Sequence, residues 1–469
     1  DPAGPGAGPA GPAEPAGPGA GPDAAERSRF SILADDGGRF GQSVRHSSGT
    51  TSVSVGNATV RTVGPFFRWL DGVWGRRALR APDGYPCEFT LGWLGYLGYE
   101  LKRETGGSDV TAQTPDACLL FAGRAVVVDH VERTVWLLAL DTPDAADWLE
   151  RARAAVTEAS RGEPAAAGDG NHGAVHAPPA SAGPDFTARD AKASYTAKIT
   201  EAQHQIAEGN TYEVCLTTAL TAQAPAGGPD PWQAYLALRR RNPAPFASFL
   251  RFGELAVAST SPERFLRIAA DGRMRAEPIK GTRGRDADAA RDAALRRDLE
   301  SSPKDRAENI MIVDLLRNDL SHFAVPGSVS VSRLCAIESY ATVHQMVSTI
   351  DARLKPGMPR AEAVAACFPA GSMTGAPKVS TMAILDRLEG APRGVYSGAI
   401  GYFSLNGATD LAVAIRTLVI EGRAGGGAQL SLGIGGAITA DSSPQQEYEE
   451  IRTKAYGVLS ALGARFPAG

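Results

Sequence analysis

TAKITEAQHQIAEGNTYEVCLTTAL, residues 196–220, carries the change of period that decides the fold class. Ile199, Ala202 and Ile206 recur at helical spacing and give the first half one apolar face, with Gly209 as a stop signal. From Thr211 the period drops to two. Tyr212, Val214 and Leu216 alternate with Glu213, Cys215 and Thr217, as in a strand with two unlike faces. Further on, strand-like and helix-like segments alternate irregularly, with hairpin-like runs and no long βαβ series. This pattern predicts an α+β fold with antiparallel sheets.

Upstream, FSILA (30–34) reads as a strand and LGWLGYLGYEL (91–101) as an apolar segment punctuated by glycine. CLLFAGRAVVVDH (118–130) and TVWLLAL (134–140) read as paired antiparallel strands. In PDAADWLERARAAVTEAS (143–160), Ala145, Leu149, Ala152 and Val156 make one apolar helical face. Two stretches lack bulky apolar side chains: the opening DPAGPGAGPAGPAEPAGPGAGP and the Ala/Gly/Pro-rich 161–185. Neither can offset the entropy of ordering, so both are expected to be linker or loop. His172 and His176 fall in the second and read as solvated loop histidines, not a metal pair. The resulting division is a linker over 1–26, an N-terminal part over 27–160, a loop over 161–185 and a main region over 186–469.

At about 150 residues per domain, length alone suggests about three domains. The chain has 48 Lys+Arg against 52 Asp+Glu, a net charge of −4, which argues against a nucleic-acid binder. No stretch approaches the ~20 apolar residues that span a bilayer. Cys87, Cys118, Cys215, Cys335 and Cys367 are odd in number and lack CxxC spacing, so they read as buried or free thiols in a reducing cytoplasm. Residue 1 is Asp and the first methionine is Met274, which leads us to expect further sequence upstream of a linker-first chain. That opening has neither the basic nor the apolar region of a signal peptide.

Several segments carry side chains capable of chemistry. Ser302-Pro303-Lys304-Asp305 has a capping-box pattern and starts a helix with Glu308 on the face of Ile312 and Leu315. Ser443-Pro444-Gln445-Gln446 repeats it before a helix with Glu447, Glu450 and Lys454 on one side. Glu308, near its helix start, reads as a dipole-favourable surface residue, whereas Glu447 and Glu450 read either as a solvated charged face with a Glu450–Lys454 pair, or as a site for a hard cation such as Mg²⁺. CFPAGSMTGAPK (367–378) is a Gly-rich loop before a helix, a plain turn or an anion cradle using Ser372 and Thr374. It lacks the Walker A order. Lys280 in PIKGTRGR (278–285) is a surface charge, or a nucleophile only if burial or neighbouring cations lower its pKa. Glu263 in ASTSPERFL (258–266) is a structural partner of Arg264, or a general acid with a raised pKa.

The order of these segments is more specific than any one of them. IAEGNTYEVCL, SPERFL, PIKGTRGR, KDRAENIMIVDLLRNDL, CFPAGSMTGAPK, RGVYSGAIGYF, AIRT and ADSSPQQEYEE follow one another as in the chorismate-utilising enzymes. The stretch from about Phe186 to Leu462 resembles that family, which includes anthranilate, aminodeoxychorismate and isochorismate synthases. GWLGYLGYEL resembles the N-terminal half of its amine-forming members. The resemblance implies one large two-lobed unit: two antiparallel β-sheets packed as a sandwich, helices outside, the active site in a cleft between them.

By motif, the resemblance makes Glu308 and Glu450 the Mg²⁺ ligands, with Glu447 supporting the water shell of the ion. Arg416 and Tyr396 would bind the pyruvyl carboxylate of chorismate. The backbone of Gly435 and Gly436 and the loop around Thr374 would complete the anion cradle. Glu263 would be the general acid for the C4 hydroxyl. Anthranilate synthases usually have PIAGT where this chain has PIKGT, and Lys280 resembles the nucleophile of the aminodeoxychorismate synthases. There the lysine attacks ring C2, and ammonia then adds at C4 and expels it, giving 4-amino-4-deoxychorismate. Anthranilate synthesis is the alternative. Glu213 would line the substrate site where isochorismate- and salicylate-forming members usually carry a lysine base. The YEVCLT spelling resembles plant and actinobacterial members fused to a glutaminase, so the resemblance implies ammonia from an upstream glutaminase. The product would feed folate synthesis through 4-aminobenzoate, or an aminated antibiotic precursor. Three positions depart from the pattern. Gln345 stands where many members have His, with His344 one place earlier. Ala437 replaces a common Gly, and no tryptophan-binding LLES-type motif is visible near FSILA.

Overall fold

In a computed structural model of the chain, residues 26–74, 79–161, 183–225, 228, 230–340, 342–423 and 425–467 are described. Most of the two low-complexity stretches, with His172 and His176, lies outside them.

Two antiparallel sheets form the body. The larger has twelve strands. One end of its path runs Ile279–Gly284, Val343–Arg353, Arg273–Glu277, Arg264–Ile268, Thr409–Val413, Ala399–Ser404 and Gly92–Leu97. The smaller runs Phe246–Phe252, Leu255–Ser261, Thr417–Gly422, Ala428–Ile438, Glu213–Ala224 and Gly375–Ala376. They meet at an apolar seam. Tyr96, Cys118 and Ile400 come from the larger sheet, and Phe252, Leu255, Val257 and Val419 from the smaller. The outer face of the smaller sheet is covered by helices Lys192–Ala207, Pro231–Arg241 and Pro444–Ala461, through Ile199, Leu238 and Ile451 among others. Helices Phe66–Val73, Pro303–Ser321 and Arg360–Cys367 pack Leu70, Ile312 and Val364 on the larger sheet. The architecture is the expected α+β sandwich with helices outside.

Local signals hold in detail. The helix Lys192–Ala207 stops before Gly209, whose φ of +79° is a left-handed conformation. Ser302 caps Pro303–Ser321, its Oγ accepting from the Asp305 N–H at 3.3 Å. In Ala145–Arg161 the four residues of the predicted face are half-buried. All five cysteines are buried, unpaired thiols.

Two readings need correction. CLLFAGRAVVVDH is not one continuous strand of a paired unit. Ala117–Ala122 joins the larger sheet, whereas Arg124–Asp129 pairs with Thr134–Ala139 and Phe30–Ala34 in a separate three-stranded sheet. The chain divides at Gly123 because its two halves feed different cores: Ala117 and Leu119 join Leu97, while Ala125 and Val127 join Phe89 and Leu138. The second cap also differs. Ser443 is the N-cap of Pro444–Ala461 but makes no side-chain cap bond. The hydroxyl of neighbouring Ser442 instead donates to Glu447 Oε1 at 2.8 Å. Among the described residues no helix is long and apolar enough to cross a membrane.

Candidate active site

Glutamates and lysines gather where the first residue of strand Glu213–Ala224, the strand Ile279–Gly284 and the helices Pro303–Ser321 and Pro444–Ala461 come together. The alternation predicted from Tyr212 begins one residue late, since Tyr212 precedes the strand and is exposed. Val214 and Leu216 pack toward the helices, and Glu213, Cys215 and Thr217 are buried on the opposite face. The more polar face of this strand is therefore turned inward.

Lys280 lies on an irregular strand. Ile279–Gly284 pairs with Val343–Arg353, but the register slips between Ile279 and Thr282. Gly281 there has φ +82°, and a Cβ on it would come within 2.8 Å of Asp305 and Leu299. Such bulges re-aim side chains. Lys280 is 9% exposed, and its Nζ donates to Glu213 Oε1 at 2.6 Å. This is a buried lysine, which removes the surface-charge reading. Burial opposes its charge, but Glu213 and Glu308 outweigh burial and hold the ammonium above the ordinary lysine range, the opposite of the lowering expected from the sequence for a nucleophile, because the near neighbours are anions and not cations. Glu213 is itself 1% exposed, and its Oε2 has no hydrogen-bond partner among the described residues. An unpaired buried acceptor costs about 1–3 kcal/mol, a cost that calls for an explanation in function.

Glu263 sits between Leu255–Ser261 and Arg264–Ile268, with Ser372 Oγ donating to its Oε1 at 2.7 Å. Burial pushes its carboxyl up to about 7, against the opposing pull of Ser372, Lys280 and Lys454. A carboxyl in that range is available as an acid near neutral pH. The alternative pairing with Arg264 is absent. Arg264 instead binds Glu277 at 2.5 Å and Asp410 at 2.9 Å.

Glu308, Glu447 and Glu450 approach the same region. Lys304 Nζ lies 3.3 Å from Glu447 and 3.8 Å from Glu308, and Lys454 Nζ lies 2.7 Å from Glu450. Among the described residues no three Asp, Glu, His or Cys side chains close around a metal position unaided. The donor set nevertheless fits a magnesium ion, which takes one or two carboxylates and completes its shell with water and anionic substrate. Burial, reinforced by Glu213 and Glu447, pushes Glu308 up to about 7 despite Lys280 and Lys304. A carboxylate so short of countercharge suits a hard cation. Burial also opposes the charge of Glu450, but Lys454 holds that carboxyl below the usual range. Lys304 was not singled out by sequence. Its only signal was its place four residues before Glu308.

Arg416 lies on the connection between strands Thr409–Val413 and Thr417–Gly422, and Tyr396 on that between helix Lys378–Glu389 and strand Ala399–Ser404. The Arg416 guanidinium donates to the Lys454 carbonyl, and burial lowers its pKa. Lys454 Nζ donates to the Gly435 carbonyl at 3.0 Å. Glu447 Oε2 lies 3.3 Å from where a Cβ of Gly436 would stand. A Cβ on Gly433 would fall 2.1 Å from the Tyr396 ring, so Gly433→Ala must displace the tyrosine. We expect that substitution to cost about 1–3 kcal/mol of stability by overpacking and to raise the KM for the anionic substrate about tenfold. Thermal melts and steady-state kinetics check both.

The GSMTG loop forms a short 3₁₀ turn, Gly371–Met373, and a two-residue strand, Gly375–Ala376, paired with Glu213 and Val214. Thr374 is buried, and its hydroxyl donates to the carbonyls of its own loop, Ala370 and Gly371, at 3.3 Å. Its side chain braces the loop. Arg393, a residue missed from sequence although the quoted RGVY segment begins with it, ties these parts together. It donates to the Met373 carbonyl at 2.7 Å, the Cys215 carbonyl at 2.9 Å and Ser397 Oγ at 3.1 Å. His344 is held by Ser339 at 2.7 Å and Asp292 at 3.1 Å. Gln345 pairs with Thr282 on the lysine strand.

A profile of the chorismate binding enzyme family matches residues 48–460. An aminodeoxychorismate synthase of Streptomyces griseus is 47% identical over 445 residues, which cover 94% of this chain and 60% of that one. An aminodeoxychorismate synthase component 1 of Klebsiella aerogenes is 38% identical, over 81% of this chain and 79% of that one. Anthranilate synthase component I of Streptococcus pneumoniae superposes with a TM-score of 0.75 at 27% identity, covering 92% of each chain. The chain thus spans about 60% of the length of the Streptomyces relative.

Proposed function

Because the chain belongs to the chorismate-binding enzyme family, we propose that it aminates chorismate with ammonia to 4-amino-4-deoxychorismate through an adduct on Lys280. The observation that carries this reading is a buried lysine, 2.6 Å from Glu213, near enough to a buried glutamic acid, Glu263, pushed up to about 7, for its charge to act on it. The identity to aminodeoxychorismate synthases supports it.

In this reading Arg416 and Tyr396 receive the pyruvyl carboxylate, and the backbone of Gly435, Gly436 and the loop around Thr374 completes the cradle. Glu308 and Glu450, with Glu447 behind them, would hold Mg²⁺, which when bound supplies positive charge for the ring carboxylate. The Lys280 nitrogen forms a bond to ring C2 as the two conjugated ring double bonds shift to C1=C6 and C4=C5 and the C4–O bond breaks. Glu263 gives its proton to the departing oxygen, which leaves as water. Ammonia then bonds to C4, both double bonds shift back and the C2–N bond to Lys280 breaks. The product keeps its pyruvyl group. Ammonia would come from a glutaminase. A relative named component 1 supports a second component.

The test is product analysis. With chorismate, ammonium and Mg²⁺, mass spectrometry should find aminated chorismate with its side chain intact, and a coupled assay should find no pyruvate. Likeness to a solved anthranilate synthase favours the rival reading. Anthranilate with an equivalent of pyruvate would establish that rival and overturn ours.

A further inference from the structure

We propose that Glu213 is a catalytic base, the group that takes the proton from the Lys280 ammonium and so frees the nitrogen lone pair that attacks the ring. The inference rests on the reading of Lys280 as nucleophile and adds a role which that reading does not supply.

A nucleophilic amine must first lose a proton, and in this pocket the choice of acceptor is narrow. Glu263 has to act as a donor in the same step. Glu308 belongs to the candidate metal cluster. Glu213 alone among the described carboxylates is in hydrogen-bond contact with Lys280, at 2.6 Å, within the reach a general base needs. Its geometry is fixed by the backbone. Glu213 opens a strand, is paired with Ala376, and has its carbonyl held by Thr211 Oγ1 at 3.0 Å. Its second oxygen, Oε2, is buried with no hydrogen-bond donor among the described residues, which leaves it open to an incoming proton. With the side chain 1% exposed, the proton passes directly between the two groups.

The step balances. The proton moves from Lys280 Nζ to Glu213, the freed lone pair forms the N–C2 bond, and the electrons of the C4–O bond leave with the oxygen that Glu263 protonates. When ammonia bonds to C4, the C2–N bond breaks and its electrons return to Lys280. The new C4 amine gives its surplus proton to Glu263, which restores the acid, Glu213 returns its own to Lys280, and the sum is chorismate plus ammonia giving aminodeoxychorismate plus water.

Glu213→Gln keeps the shape and an acceptor oxygen for the lysine but cannot take a proton. Quench-flow followed by intact-protein mass spectrometry reads adduct formation directly. We expect its rate to fall about a hundredfold, the chorismate KM to stay within about threefold, and Glu213→Asp to recover at least about tenfold over the Gln variant. A Gln variant within about threefold of wild type, or an Asp variant no faster than Gln, overturns the proposal. Should the Gln variant not fold, Glu213→Ala with added formate replaces it. A rate rising with formate supports the base, and a flat response refutes it. Wild-type turnover with no adduct on Lys280 would instead remove the nucleophile reading, and the proposal with it. Equal adduct rates in wild type and the Gln variant overturn only the base.

Discussion

Lys280→Ala abolishes aminated product: turnover of chorismate with ammonium falls at least about a thousandfold, equivalent to about 4 kcal/mol of transition-state stabilisation. The substitution also has a structural consequence. Lys280 and Glu213 have side-chain exposures of 9% and 1%, so removing the lysine strands a buried carboxylate beside Glu308. Breaking one side of such a pair costs about 3–5 kcal/mol. The single variant should therefore melt well below wild type. Adding Glu213→Gln removes the stranded charge and should restore at least about half of that stability, with no return of activity. The double variant separates a lost nucleophile from a lost fold. Undiminished amination by Lys280→Ala would refute the chemistry outright.

Glu263→Gln is the second large effect. The C4 hydroxyl leaves only if it is protonated, and an amide cannot do this, so kcat should fall about 10²–10⁴-fold. Because Ser372 and the buried surroundings accommodate a neutral side chain as well as a carboxyl, the fold should be unaffected. The pH profile gives a second readout. Burial pushes the Glu263 carboxyl up to about 7 in the free protein. The protonated form is the active one, so Glu263 gives kcat/KM for chorismate an alkaline limb that falls as pH rises through about 7. The Gln variant should lack that alkaline limb. Retention of the limb in the variant would assign it to another group and remove Glu263 as the acid.

Much of this was legible in the sequence because it depends on neighbours along the chain. The switch of period near Thr211, the Ser302 cap and the half-buried face of Ala145–Arg161 are local matters of spacing and capping. The order of short motifs pointed to the family. What it left open were pairings across long separations. Lys280 and Glu213 stand 67 residues apart, and Lys304 and Glu447 stand 143 apart. Sheet packing brings them together, and no periodicity records it. For the same reason the choice between surface charge and buried nucleophile could not be made at Lys280. Ser443 is the N-cap residue the pattern marks, but its hydroxyl makes no cap bond, and the pattern does not record that the neighbouring Ser442 donates to Glu447. Thr374 shows the converse: a hydroxyl placed by motif in an anion cradle is turned to the carbonyls of its own loop.

The central claim is that chorismate becomes attached to Lys280 on the way to product. The most direct measurement is peptide mapping by mass spectrometry after rapid quench of the enzyme with chorismate and Mg²⁺ in the absence of ammonia. The account predicts a modification equal to chorismate less water on the peptide containing Lys280, lost when ammonium is added before the quench. An enzyme that turns over chorismate with ammonium while every peptide stays unmodified would contradict it.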